Sequence, residues 1–485
     1  MNPSTPLSQQ DIAALFDGTE FRGAGHAIIE LLANYLDNSL KGEGKVIDWQ
    51  APLHAIKHWQ KPLPQEPALS PREFLAALTN DILARTLRIH HPRNLGHQVA
   101  TPLPIAALCD LVASLTNQAM TVYEAGPSAT LIEKQVIQWL CELIGWQDAD
   151  GVLTSGGAQA NLTALLAARQ AKAGWNIWQQ GVSQGQPLRI LACETTHYSV
   201  SRAAGIMGLG TDAVATVPMD KLGRMDIAAL KAAYQECIAH NTKPFAVAIS
   251  AGCTPTGSID PLIEIGTFCR EHDLWFHVDG AHGASALLSA RLKPMLAGIE
   301  LADSIVWDGH KLLYMPVAVS AVLFRDPKHS YAAFSQEASY LFQASDTEEA
   351  YNLGTRSLEC TKRMMGLKLW AAFMLYGTQK LGGLVEHVFR TAKLLAQRLE
   401  KAPDFELLMP PQTNIVCFRH VPQSLAGLAL SAHQEQIRKK LVETGAFHLT
   451  QVKMRDKVWL RTTIMNPLTS DKDVAALLEN IRELA

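Results

Sequence analysis

The chain has 485 residues, 48% of them hydrophobic, and a formal net charge of -3 at pH 7. This length exceeds one ordinary domain, and the nearly balanced charge gives no electrostatic case for binding nucleic acid or an anionic membrane. The best apolar run, Met315 to Phe324, is too short to cross a bilayer. The N-terminus has no basic region followed by an apolar stretch, and the eight cysteines are scattered without a CxxC pair. We therefore expect a cytoplasmic protein with no membrane span and with free thiols.

Residues 1–90 have the pattern of amphipathic helices, for example between Gly25 and Leu36. The segment from Trp49 to Pro71 is rich in proline and is typical of a linker or an extended arm. Helices that lack a core of their own often pack on another subunit, so we predict an intersubunit role for residues 1–90. A second helical section is predicted from about residue 104 to residue 145.

From Gly151 onwards the pattern changes to alternating strands and helices. Strands are predicted at 151–157 (with its turn), 189–193, 245–250, 274–279, 304–308 and 316–324. Helices are predicted at 158–173, 226–240 and 260–272, the last two with Asp226 and Asp260 as N-caps. Alternation at this spacing predicts an α/β fold with a mostly parallel central sheet and helices on both faces.

The C-terminal part has a more mixed pattern. After a helix predicted at 362–376, the chain continues to strands at 414–418 and 458–463 and a last helix at 471–484. This predicts a large domain at 91–375 and a small α+β domain at 376–485, following the helical N-terminal segment.

Two of the predicted strands end in side chains that carry chemistry. The stretch LWFHVDGAHG delivers Asp279, and the stretch SIVWDGHK delivers His310 and Lys311. A lysine that follows a buried strand is desolvated, which favours a nucleophilic amine able to form an imine. A carboxylate at the same sheet edge is a suitable partner for a protonated pyridine nitrogen. The simpler alternatives are a solvated lysine and a carboxylate that caps a helix or joins a salt bridge.

The TSGGAQAN motif (154–161) is a glycine turn that opens a helix. Free amides at Gly157 and Ala158, together with the positive helix end, favour binding of a phosphate. The motif has neither the GK[ST] of a P-loop nor the GxGxxG pattern, so nucleotide binding is disfavoured. His197 follows a strand at the same predicted edge, where an imidazole can stack on a flat ring. Taken alone, either feature is also typical of an ordinary surface turn.

In this order the motifs TSGGAQAN, HYS, HVDGAHG and ADSIVWDGHK, with LRTTIMNP near the C-terminus, resemble those of the group II pyridoxal-phosphate (PLP) dependent amino acid decarboxylases. That family includes glutamate, cysteine sulfinate, aromatic amino acid and 2,4-diaminobutyrate decarboxylases, and the similarity runs from about His90 to the C-terminus. The resemblance implies fold type I, PLP as cofactor, and a homodimer with active sites shared between subunits. The scattered cysteines lead us to expect no metal site.

The resemblance also implies roles for individual residues. Lys311 corresponds to the Schiff-base lysine, Asp279 to the partner of the ring nitrogen, and His197 to the histidine stacked on the ring. Tyr340 corresponds to the tyrosine of a mobile loop that protonates the substrate Cα. The further cofactor contacts implied are Gly157, Ala158, Ser250, Ala281, Ser304, Asp308 and His310.

Four residues correspond to substrate-facing positions of the family: His97, Gln98, Lys362 and Arg363. Relatives have arginine at the position of Lys362, so either Lys362 or Arg363 is expected to meet the substrate carboxylate, and a lysine cannot form the bidentate fork. Histidine at position 97 is shared with diaminobutyrate decarboxylases. We therefore expect decarboxylation of a small polar, acidic or diamino L-amino acid. An aromatic, lysine or ornithine substrate, an aminotransferase, an aldehyde-forming oxidative deaminase and a non-catalytic homologue remain as alternatives.

Overall fold

The computed structural model describes residues 7–334 and 349–485, and the position of Tyr340 lies outside these ranges. In the described part of the chain, no helix is both long and apolar enough to cross a membrane. All eight cysteines lie in the described ranges and are unpaired, and only Cys360 among them is exposed.

The first described residues form four helices, as the sequence pattern predicts. They are α1 (Gln9–Ala14), α2 (Gly18–Leu40), α3 (Pro52–Trp59) and α4 (Pro71–Ala77). Within these four helices Ser39 is the only buried residue among those described, whereas Phe16 and Leu53 are strongly exposed. Helix α3 lies inside the segment expected to be a linker, because Pro52 provides a favourable first helical residue. The apolar side chains of this N-terminal section therefore find little core within their own chain.

The central sheet has seven strands within the described residues. They are β1 (Asp150–Thr154), β2 (Leu188–Cys193), β3 (Val214–Val217), β4 (Lys243–Ser250), β5 (Trp275–Asp279), β6 (Ser304–Asp308) and β7 (Ser320–Phe324). Their order is β1-β7-β6-β5-β4-β2-β3. Strand β7 pairs antiparallel with β1 and β6, and the other neighbours pair in parallel. The expected mostly parallel sheet is confirmed.

Helices cover both faces of this sheet. They are α5 (Pro104–Thr116), α6 (Pro127–Ile144), α7 (Gly157–Lys172), α8 (Ile177–Gln180), α9 (Ser199–Ile206), α10 (Ile227–Ala239), α11 (Leu262–Glu271) and α12 (Lys328–Ala332). Successive residues of β4 point to opposite sides, as a strand requires. Val247 and Ile249 join the larger apolar core, and Ala246 and Ala248 join a second core that includes α7 and α9. A strand buried on both faces explains the continuous apolar run in the sequence.

The C-terminal part contains α13 (Gly366–Lys401), β8 (Phe405–Leu407), β9 (Ile415–His420), α14 (Gly427–Thr444), β10 (Thr450–Met454), β11 (Lys457–Thr463) and α15 (Asp471–Leu484). The four strands form a separate antiparallel sheet in the order β10-β11-β9-β8. Gly377 interrupts α13 with a φ of 66°. The domain boundary expected at 375/376 falls beside this interruption.

Some predicted element starts differ from the structure. The strand expected from Pro316 begins at Ser320, and the helix expected from Lys362 begins at Gly366. Asp226 caps α10 as predicted, but Asp260 does not cap α11. Instead, the buried Asp260 carboxylate accepts hydrogen bonds from the amides of Ser250 and Met225, which ties down the loop after β4.

Candidate active site

A cavity of about 280 Å³ lies at the carboxyl edge of β4, β5 and β6. Parallel strands bring the residues that follow them to this edge, where open α/β folds bind their ligands. The lining residues are Gly156, Gly157, Ala158, Asn161, His197, Tyr198, Ser250, Gly252, Cys253, Thr254, Asp279, Ala281, His282, Asp308, His310 and Lys311. Nearly all of the cofactor-facing residues expected from the sequence are therefore brought together, with Ser304 as the exception among those described.

The start of α7 forms one wall of the cavity. Gly156 has a φ of 152° and a ψ of 159°, a conformation that is essentially restricted to glycine. The amides of Gly157 and Ala158 precede the first hydrogen bonds of the helix, which begin at Gln159. A Cβ atom on Gly157 would lie 2.9 Å from Asp308 Oδ1, so a larger residue would not fit here. Free amides at a positive helix end fit a phosphate group.

Lys311 lies beside a buried carboxylate rather than in open solvent. Its Nζ is 3.0 Å from Asp308 Oδ2, and His310 Nε2 is 3.5 Å from the same oxygen. Ser320 also donates a hydrogen bond to Asp308. Burial alone would raise the pKa of Asp308, but Lys311, His310 and these hydrogen bonds hold that pKa below its ordinary value. Asp308 is therefore a carboxylate that partly offsets the positive charge of the lysine.

Asp279 ends β5 and is held by two defined donors. Its Oδ1 accepts the Ala281 amide at 3.1 Å, and its Oδ2 accepts the Asn161 side-chain amide at 2.9 Å. Ser250 pairs with Asp279 in the register of β4 and β5, which brings both residues to the same point of the edge. Two oxygens with further lone pairs leave Asp279 able to accept a hydrogen bond from a cationic ring nitrogen.

His197 follows β2 at the same edge of the sheet. Its Nδ1 lies 2.8 Å from Ser199 Oγ, and its ring centroid lies 4.1 Å from that of Tyr198. Burial lowers the pKa of His197 below its ordinary value, even though Asp279 acts in the opposite direction. His197 is thus a neutral imidazole with one nitrogen engaged by Ser199, and its ring lines the cavity.

Ser304 is placed differently from the expectation. It begins β6, at the opposite end of the strand from Asp308, and its hydroxyl contacts Trp275 Nε1 and His277 Nδ1, both at 2.8 Å. A parallel strand delivers its last residues, and not its first, to the carboxyl edge. The family motif contains both Ser304 and Asp308, and the expectation treated the two residues alike. Ser304 is therefore not a direct phosphate contact in this structure.

The four residues expected to face the substrate do not line the cavity. Lys362 is buried in an ion pair with Glu133, whereas Arg363 is largely exposed and donates to Ser114 Oγ at 2.9 Å. His97 is exposed, and its segment reaches the site through the amide of Ala100, which donates to the carbonyl of His310 at 3.2 Å. Gln98 is half-buried beside it.

Sequence reasoning missed several polar residues of the cavity, and Asn161 and His282 are the two that are most deeply buried. Asn161 lies four residues after Gly157, on the same face of α7, and this helical spacing could have identified it. His282 is buried; its Nε2 lies 2.6 Å from Asn414 Oδ1, and its Nδ1 has no hydrogen-bond partner among the described residues. Burial lowers the pKa of His282 to about 3, so its imidazole is neutral.

These features fit pyridoxal phosphate. The cavity offers unpaired amides of Gly157 and Ala158 for a phosphate, a carboxylate at Asp279 for a pyridinium nitrogen, and the amine of Lys311 for an aldehyde. The neutral His197 ring lines the same cavity and provides a flat surface. The fold and the site together define a PLP-dependent enzyme.

The family model described as the pyridoxal-dependent decarboxylase conserved domain matches residues 55–421. The aromatic-L-amino-acid decarboxylase of Bacillus atrophaeus is 30% identical over 469 residues, covering 96% of this chain and 95% of that protein. The cysteine sulfinic acid decarboxylase of Mus musculus is 31% identical over 424 residues, with coverage of 85% and 86%. The L-2,4-diaminobutyrate decarboxylase of Acinetobacter baumannii is 29% identical over 432 residues, with coverage of 86% and 84%.

The crystal structure of mouse CSAD superposes with a TM-score of 0.90 at 29% sequence identity, covering 96% of this chain and 99% of that chain. The chain belongs to the pyridoxal-dependent decarboxylase family. It is a fold type I enzyme that uses PLP to decarboxylate an amino acid. The relatives differ in substrate, so membership alone gives the reaction but not the amino acid.

Proposed function

We propose that this enzyme decarboxylates a short L-amino acid with a polar side chain, of which an acidic one fits best, to give the amine and carbon dioxide. The observation that carries the choice of side chain is the positive charge of Arg461 beside the cavity. Arg461 and Arg438 also lower the pKa of His97, after the partial burial of its ring, which is the largest cause. Arg461 also donates to the carbonyl of Thr254 on the cavity wall at 2.7 Å. A positive potential on this side favours a substrate carboxylate or sulfinate.

The proposed roles of the cavity residues follow from their geometry. The bound cofactor supplies an electron sink for the pair released from the Cα–carboxylate bond. Lys311 anchors the cofactor and exchanges places with the substrate amine, and Asp279 keeps a proton on the ring nitrogen. Gly157 and Ala158 hold the phosphate through their amides. Asp308 offsets the positive charge of Lys311, and His310 lies beside the same carboxylate.

The remaining roles concern ring position and the proton that replaces the lost carboxylate. We assign His197 to one face of the cofactor ring, with Ala281 on the other face and Ser250 near its phenolic oxygen. Tyr340, together with His197, is proposed to protonate Cα. Tyr340 lies outside the described residues, so its role rests on the sequence motif alone.

A diamino acid such as 2,4-diaminobutyrate is the second candidate. It is favoured by the 29% identity to the Acinetobacter baumannii enzyme named for that substrate and by the histidine at position 97. The arginines near His97 disfavour it, because a second ammonium group would meet positive charge. Gln98, an uncharged donor and acceptor, suits either candidate.

We further propose a cytoplasmic homodimer whose active sites are completed across the subunit interface. The support is the exposed apolar side chains of the N-terminal section, which include Phe16, Leu53 and Leu63 at more than four-fifths exposure each. Several large apolar side chains exposed in one section of a chain favour a protein–protein interface there. Lys362 and Arg363 do not line the cavity of this chain. We propose a role for them in binding the substrate carboxylate only within the dimer, where a second subunit completes the site.

Carbon dioxide release by the PLP-loaded protein against a panel of L-amino acids tests the proposal. The panel comprises aspartate, glutamate, cysteine sulfinate, 2,4-diaminobutyrate, ornithine, lysine, tyrosine and tryptophan. We expect the highest kcat/KM with one of the three acidic substrates. A clear preference for 2,4-diaminobutyrate would select the second candidate, and release from tyrosine or tryptophan alone would contradict both.

A further inference from the structure

A chain of buried side chains runs from the far end of β6 to the cavity. Trp275 Nε1 and His277 Nδ1 both lie 2.8 Å from Ser304 Oγ, and His277 Nε2 lies 2.9 Å from Asn161 Oδ1. The Asn161 amide nitrogen then reaches Asp279 Oδ2 at 2.9 Å and Ser199 Oγ at 2.8 Å.

The donor and the acceptor of each hydrogen bond in this series of side chains follow from their chemistry. Because Asn161 Nδ2 donates to Asp279 and Ser199, Asn161 Oδ1 must accept, and the proton lies on His277 Nε2. His277 is fully buried, and burial lowers its pKa to about 4, so its ring is neutral and Nδ1 accepts from the Ser304 hydroxyl. Ser304 accepts in turn from Trp275, whose indole nitrogen can only donate. Every bond therefore points towards the cavity.

This series of hydrogen bonds divides at Asn161 into two branches. One branch ends on the Asp279 carboxylate. The other passes through Ser199, whose hydroxyl proton is left for His197 Nδ1 at 2.8 Å, and so leaves the His197 proton on Nε2. The Ser199 backbone amide also donates to His197 Nδ1, at 3.3 Å, so His197 is held by its own loop as well, whereas Asp279 has Asn161 as its side-chain donor. Chains of buried hydrogen bonds whose donors and acceptors are all satisfied strengthen one another and hold a single arrangement.

We propose that His277 and Asn161 are positioning residues that hold Asp279 as an oriented carboxylate towards the cofactor ring nitrogen. His277 cannot touch the ring itself, because Asn161 lies between it and Asp279. Asn161 serves this purpose better than an acidic residue of similar size, since an amide donates to Asp279 without adding charge. The inference rests on the proposed role of Asp279 as the partner of the ring nitrogen.

The test compares binding of two cofactors to the cofactor-free full-length protein. One is PLP, and the other is its 1-deaza analogue, in which a C–H group replaces the ring nitrogen. Both carry the phosphate and the aldehyde that reacts with Lys311, so the ratio of their dissociation constants isolates the contact with Asp279. Tryptophan fluorescence quenching measures each constant, and no turnover is required.

We expect wild-type protein to bind PLP about tenfold or more tightly than the analogue, as a charge-assisted hydrogen bond would give. His277→Leu removes the donor to Asn161, and we expect it to lower this ratio about fivefold or more. His277→Gln retains a donor and an acceptor and should keep the ratio within about twofold of wild type. General damage to the site would weaken both cofactors alike and leave the ratio unchanged.

An unchanged ratio in His277→Leu, with a normal wild-type preference, would overturn the inference while leaving the role of Asp279 intact. A wild-type protein that binds both cofactors equally would overturn the role of Asp279 and the inference with it. If His277→Leu does not fold, Ser304→Ala replaces it, because that change removes only one oxygen from the same chain. A reduced ratio in Ser304→Ala supports the inference, and a wild-type ratio overturns it.

Discussion

Lys311 and Asp279 follow neighbouring strands of one sheet, whereas His97 and Lys362 come from segments outside that sheet. We call the first set, with the start of α7 and His197, the cofactor wall, and we call His97, Gln98, Lys362 and Arg363 the substrate set. Every described member of the cofactor wall faces one cavity, and the substrate set does not. The position of the cofactor wall is set by one sheet edge within one chain. The position of the substrate set depends instead on how peripheral segments pack.

The largest effect is expected from removal of the central group of the cofactor wall. Lys311→Ala should lower kcat/KM at least about a thousandfold, because the amine that anchors the cofactor and exchanges with substrate is lost. Lys439→Ala is the matched control, since that side chain is 71% exposed on α14. Steady-state carbon dioxide release measures both. Wild-type turnover by Lys311→Ala would remove this lysine from the mechanism.

The next largest effect concerns Lys362 of the substrate set. Lys362→Met should destabilise the protein by about 3–5 kcal/mol, because it leaves the buried Glu133 carboxylate without its ion-pair partner. The double variant with Glu133→Leu should recover much of this loss, since no unpaired charge then remains buried. Urea unfolding of the three proteins provides the comparison. Normal stability with a strongly raised KM would instead support the carboxylate-binding role expected from the sequence.

A smaller effect is expected at His97. His97→Ala should raise KM for the best acidic substrate about tenfold, because it removes a polar contact beside two arginines, and it should change PLP affinity by less than about twofold. His240→Ala, at an exposed position at the end of α10, is the control. If PLP affinity fell as much as substrate affinity, His97 would belong to the cofactor wall.

The last effect is a dependence of stability on pH that arises at His277, behind the cofactor wall. Burial lowers the folded-state pKa of His277 to about 4, whereas the unfolded value is about 6.5, so the unfolded chain binds more protons between these limits. His277 thus contributes stability that is fully present above pH 6.5 and is lost as the pH falls towards 4. The slope is at most about 1.4 kcal/mol per pH unit for one histidine. Asp260, whose pKa is raised to about 6, acts in the opposite direction below pH 6.

The contribution of His277 can be separated from that of Asp260 by substitution. Between pH 6.5 and 5 the unfolding free energy of His277→Gln should fall less steeply than that of wild type, since glutamine does not titrate. Urea titrations at four or five pH values give both slopes. Parallel slopes would mean that His277 is not held neutral by burial.

The same contrast explains how much could be predicted from the sequence. Apolar strands that end in Asp279 or Lys311 identify a parallel sheet and its ligand edge, because both signals are local. Ser304 was misplaced because the expectation followed the family motif, whereas the strand rule puts the first residue of β6 at the end away from the ligand edge. The ion pair of Lys362 with Glu133 joins residues 229 positions apart, and no local pattern reports it.

Asn161 marks an intermediate case. Its place on the face of α7 that carries Gly157 follows from helical spacing, but its contacts with Asp279 and His277 depend on how α7 packs across β5. Helical spacing in the sequence therefore predicts where Asn161 lies on α7, and the structure is needed to identify Asp279 and His277 as its partners.

Borohydride reduction of the PLP-loaded protein, followed by peptide mass spectrometry, tests the cofactor wall most directly. Reduction converts the carbon–nitrogen double bond between the cofactor and its lysine into a stable secondary amine, which marks that residue. We predict a single phosphopyridoxyl group on the peptide that contains Lys311. Stoichiometric labelling of Lys362, or of any other lysine with Lys311 unmodified, would contradict the site described here.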